Sequence, residues 1–183
     1  MNRFVLALAA ALATAFTTGC NQSSPDAPGA KLAIPELTLP AGYRGWSRFL
    51  SDVQRPDAKQ VREIYVNPIG SRAIHGQPFP EGTVFVMENY AAREDAEGGL
   101  LKGSDGMLVK GDLLRVFVMG KQPGWGEAAP PGLRNGDWLY AAYDADGTRA
   151  TDDLNACRAC HLPVAAQDYV QRYEQYFALR KAE

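Results

Sequence analysis

The sequence predicts an α+β protein that is mainly β: one antiparallel sheet with flanking short helices and a C-terminal helix. Three observations predict it. Segments rich in β-branched and aromatic residues follow one another through turns rather than through long helices, which favours antiparallel pairing. Apolar residues recur at three- and four-residue spacing only in the last segment. A chain of 183 residues, 46% of them hydrophobic, can also bury one real core.

The elements follow in order. Val61–Val66 is β-branched and aromatic, and Asn67-Pro68 ends it. Thr83–Tyr90 leaves the turn Phe79-Pro80-Glu81-Gly82. Leu113–Met119 is a third strand, and Trp138–Tyr143 a fourth, closed by Asp144-Ala145-Asp146-Gly147. In the final segment Tyr169, Val170, Tyr173, Tyr176 and Phe177 form one apolar stripe, read as helix packing rather than as redox chemistry.

The N-terminus reads as an address. Arg3 precedes the apolar run from Phe4 to Phe16, which is shorter than the roughly 20 residues a membrane helix needs. Residues 1–19 are therefore expected to be a signal peptide. Thr17-Thr18-Gly19-Cys20 matches a bacterial lipobox except for Thr17, where Leu is usual; cleavage after Ala13-Thr14-Ala15 is the alternative. Lipidation is favoured because a stray exposed thiol is a liability in an oxidising compartment. Asn21 then points to the outer membrane, so the expected location is a bacterial periplasm with a lipid anchor on Cys20. Residues 20–33 are small, polar and Pro-containing, a flexible tether to a domain spanning 34–183. Net charge is −2 with the two signs mixed. No basic run invites nucleic acid.

Chemistry concentrates in Cys157-Arg158-Ala159-Cys160-His161. Two thiols two residues apart can add across the vinyl groups of a porphyrin, and the adjacent His161 is then held beneath the iron as its ligand. The expected cofactor is one covalent heme c. A thioredoxin-like pair gives no reason for the following His. Zinc would need further ligands, and the chain offers only His75 and the leader's Cys20. No cysteine remains for any disulfide besides Cys157–Cys160 itself. Attachment so late in the chain means that upstream strands must form most of the heme slot, unlike the small helical cytochromes.

Several segments together resemble the cytochrome P-460 family, which includes the β-sheet cytochromes c prime. They are Leu39-Pro40-Ala41-Gly42-Tyr43-Arg44-Gly45-Trp46, Ile64-Tyr65-Val66-Asn67-Pro68, Phe79-Pro80-Glu81-Gly82-Thr83-Val84, the Trp138 strand and the late heme motif. The resemblance spans about residues 37–177. It implies one heme c in an antiparallel sheet domain. Some such proteins oxidise hydroxylamine and handle nitric oxide, and others bind small gases at an open distal face. Two departures stand out. The family's cross-linking lysine is replaced by Met87, with Lys102 and Lys110 the nearest lysines along the chain, and the distal carboxylate position holds Arg115.

Strand parity places Phe85, Met87 and Asn89 on one face, and Leu113, Arg115, Phe117 and Met119 on one face of the next strand. Met87, Phe85 and Phe117 are therefore expected at the heme. Arg115 either serves the distal side or a propionate, or is simply solvated on an outward face. His75 sits in a loop and is read as exposed, while Met87, Met107 and Met119 are read as packing before ligation. The expected function is binding or conversion of a small diatomic or nitrogenous ligand such as nitric oxide or hydroxylamine. A six-coordinate electron-transfer cytochrome with a Met ligand is the alternative. A redox partner protein is expected, and a homodimer is left open.

Overall fold

The computed structural model describes residues 36–181. The leader, Cys20 and the tether lie outside the described residues, as does the expected domain start at residue 34. Five strands form one sheet in chain order, every neighbour antiparallel: β1 (Ser47–Arg55), β2 (Gln60–Val66), β3 (Val84–Ala92), β4 (Lys110–Lys121) and β5 (Trp138–Asp144). Two helices follow, α1 (Asn155–His161) and α2 (Tyr173–Arg180). The mainly-β architecture expected from the sequence is the one observed.

Three local features depart from the sequence pattern. β1 escapes a parity reading because its register slips on either side of Leu50, and Asp52 is left-handed at φ 49°. Adjacent Phe49 and Leu50 are consequently both buried. A second irregularity lies where Asn89 pairs with Arg115 but Tyr90 with Leu113. The skipped Leu114 turns Leu113 to the face opposite Arg115, against the alternation expected along 113–119. Finally α2 starts only at Tyr173, because Asp168, Tyr169 and Arg172 are left-handed. Tyr169 and Val170 still pack with Tyr173, Tyr176 and Phe177 in one core, but from a turn.

The sheet has two different faces. One carries Phe49, Phe85, Met119, Trp138 and Tyr140 under α2 and the segment of Leu154 and Cys157. Phe79, 2% exposed, joins them: its ring contacts Phe49, Phe85, Trp138, Tyr173, Tyr176 and Phe177. The other face packs Tyr65, Val86, Val116 and Val118 against Leu37 and Tyr43 of the segment before β1.

Glu88 lies within this second layer at 0% exposure. It accepts hydrogen bonds from the hydroxyls of Tyr43 (2.7 Å), Tyr65 (3.1 Å) and Tyr90 (2.8 Å), and Arg44 meets it at 2.6 Å. Burial alone would raise its pKa, but these donors outweigh burial and hold the carboxylate below its usual range. Its cross-strand neighbour Glu63 is held by Arg48 and Lys110. A buried pair of like charges is tolerable here because each has its own cation.

Candidate heme site

Register alone arranges the site. Across the first face, β2 to β5 form three successive rows: Arg62–Asn89–Arg115–Asp144, then Ile64–Met87–Phe117–Ala142, then Val66–Phe85–Met119–Tyr140. The first row is polar and the other two are almost wholly apolar. Between these rows and the segment 152–172 lies a cavity of about 620 Å³, within the roughly 300–1,000 Å³ of pockets that enclose cofactor-sized ligands. Phe85, Met87, Asn89, Phe117, Met119 and Tyr140 line its sheet side, and Cys157, Cys160 and His161 its opposite side.

The pentapeptide is helical, so Cys157 and Cys160, three residues apart in α1, sit on neighbouring turns of one face. No disulfide joins the two thiols; Cys157 is half-buried against the apolar core and Cys160 is exposed. Burial raises the Cys157 pKa. The carbonyl of Arg158 accepts from Asn135, fixing the helix to the loop before β5.

His161 is the most constrained of the three. Its Nδ1 lies 2.6 Å from the carbonyl oxygen of Tyr169. A carbonyl can only accept, so Nδ1 carries the proton and Nε2 keeps its lone pair. Burial pushes the imidazole pKa down, against a smaller opposing effect of that hydrogen bond, and favours the neutral ring. Tyr140 packs edge-on against it with ring centroids 5.3 Å apart. A neutral imidazole with a fixed tautomer, two thiols one turn away and an apolar slot together fit a heme. Among the described residues no group of three or more His, Cys, Asp and Glu side chains could hold a metal ion.

The other nominated residues divide. Phe85, Met87 and Phe117 line the cavity, as does Met119. Arg115 does not; its half-exposed side chain bridges Asp152, which does line it, and Asp144 at 3.5 Å. Met107 is exposed. His75 lies away from the cavity, 2.8 Å from Glu174 and against the rings of Tyr173 and Phe177. Among the described residues no lysine lines the cavity. Lys110 reaches Glu63 on the opposite face, and Lys121 is tied to Phe79 and Asp168.

Sequence reasoning did not nominate Arg62, Asn89 or Tyr140, although it put Asn89 on the face of Met87. Each lines the cavity and keeps a buried polar atom without a partner: Arg62 Nε, Asn89 Oδ1 and the Tyr140 hydroxyl. Burial pushes the Arg62 pKa down and that of Tyr140 up. The signal for Arg62 was available, because it alternates with Ile64 and Val66 just as Arg115 does with Phe117 and Met119. Orphaned polar groups in an apolar pocket are costly unless something entering the pocket satisfies them.

No curated protein matches this chain. The family model for Cytochrome P460 matches residues 40–172, well over half of the sequence and every strand and cavity wall described above. The chain therefore belongs to the cytochrome P460 family.

Proposed function

We propose that the chain is an exported c-type cytochrome carrying one covalent heme on Cys157 and Cys160, and that it binds or converts small nitrogen species at an open distal face. Nitric oxide is the principal ligand of this reading and hydroxylamine a second. Heme supplies the redox centre and the ligand-binding metal, with His161 Nε2 as its protein ligand. The remaining chemistry belongs to the chain. Apolar rows exclude water, and Arg62 and Asn89 offer an unpaired donor and acceptor to a polar group entering between them. The observation that carries the reading is the placing of His75, the second imidazole of the chain, on the outer surface and bound to Glu174.

The missing lysine in the cavity wall supports a heme without the family's cross-link. Arg115, already engaged by Asp152 and Asp144, is the rim residue of this proposal rather than an acid–base group. Hydroxylamine oxidation is accordingly expected to be weak. Export and anchoring through Cys20 complete the proposal, since heme c is attached outside the cytoplasm, and a periplasmic redox protein would be the partner.

Met87 and Met119 both line the cavity, which supports a second reading: a six-coordinate electron-transfer cytochrome with a thioether ligand. Optical and electron paramagnetic resonance spectra of the purified protein decide between them. High-spin iron that forms a nitric oxide adduct supports the first reading. A low-spin ferrous spectrum unresponsive to nitric oxide and carbon monoxide overturns it in favour of the second.

A further inference from the structure

The turn that presents the Tyr169 carbonyl to His161 has an unusual backbone. Asp168 and Tyr169 are consecutive left-handed residues, φ 53° and 60°, and neither is glycine. Such a pair persists only where its surroundings over-determine it. Here the Asp168 carboxylate accepts from Lys121 Nζ at 2.8 Å and from the Phe79 amide at 2.8 Å. Lys121 also donates to the Phe79 carbonyl at 2.9 Å and lies over the Trp138 ring at 5.5 Å. Its side chain is only 10% exposed, and that of Asp168 14%. Phe79, at the centre of the aromatic core, thus holds both ends of the pair. Within the turn, Asp168, Tyr169 and Val170 donate to the carbonyls of Ala165, Val164 and Gln167.

We infer that the buried Lys121–Asp168 ion pair is a positioning device for the proximal ligand: it locks the 168–169 turn so that the Tyr169 carbonyl holds the His161 Nδ1 proton and sets how strongly His161 donates to heme iron. The inference rests on His161 being that ligand. A shorter, better aligned Nδ1–H···O bond makes the imidazole more basic and favours the ferric state. Releasing the turn weakens that bond and raises the reduction potential. Neither residue lines the cavity, so the turn is the pair's structural route to His161, while the Asp168 charge also acts across space on Tyr140 in the wall.

The test uses the full-length heme-loaded protein. Asp168→Asn keeps the side chain's shape and removes its charge. The double variant Lys121→Met, Asp168→Asn removes both charges and leaves no unpaired buried ion, so it is the variant to rely on should the single one fail to fold. Glu174→Gln, which removes the surface partner of His75, is the control, and Lys121→Arg should restore wild-type behaviour. We expect the first two to favour ferrous over ferric iron by roughly tenfold, about 59 mV for one electron, with altered ferric electron paramagnetic resonance g-values. The control and Lys121→Arg should leave both unchanged. A lowered melting temperature with potential and g-values unchanged would show the pair to be merely structural and overturn the inference. A His161→Ala spectrum identical to wild type would instead overturn the ligation reading on which it rests.

Discussion

At the scale of single residues, the site depends on what each polar atom is allowed to do. His161 has one usable tautomer because the Tyr169 carbonyl can only accept. Glu88 shows the same logic on the opposite face, where three hydroxyls and Arg44 keep a fully buried carboxylate ionised. Its pKa is held below the ordinary value of 4.5. Its contribution to stability is therefore complete above that ordinary value and disappears as pH falls through the lower folded one. Replacing it with Gln removes charge-assisted hydrogen bonds that contribute about 1.5–3 kcal/mol. We expect Glu88→Gln to lower the urea midpoint at pH 7 and to flatten its fall in acid. Identical acid dependence in variant and wild type would show that this carboxylate does not control the acid limb.

Elements explain how those residues meet. Phe79 belongs to no strand, yet its ring touches the sheet and α2 while its backbone grips Lys121 and Asp168. Phe79→Ala should cost about 3–5 kcal/mol and loosen α2, read as a lower denaturation midpoint with faster amide exchange over 173–180. A loss confined to the 79–83 turn would contradict that linking role. The strands β2 to β5 were legible because alternation and Pro- or Gly-bearing turns mark them. β1 was not, since Asp52 and the slips around Leu50 erase the period of two. The bulge at Leu114 likewise moved Leu113 across the sheet while leaving Arg115, Phe117 and Met119 in place. Non-glycine left-handed residues at 168, 169 and 172 leave no mark in composition, so the beginning of α2 was hidden.

At the scale of the whole molecule, the pentapeptide named the cofactor chemistry, and only the fold supplied the slot. The rows of Ile64, Met87 and Phe117 and of Phe85, Met119 and Tyr140 become one wall because four strands pair in register. Arg62, Asn89 and Tyr140 gained their meaning there, each from keeping one buried polar atom without a partner. Heme peptides from a digest should contain residues 157–161 and no lysine joined to the ring, since the cavity wall has none. A second peptide linked through Lys102 or Lys110 would contradict the account. The central claim, one heme held by two thioethers in this cavity, is tested most directly by intact mass under denaturing conditions. The exported wild-type protein should carry the mass of one heme, and a Cys157→Ser, Cys160→Ser variant should carry none. Wild-type polypeptide that sheds its heme on denaturation, or a double variant that still retains it, would contradict the claim.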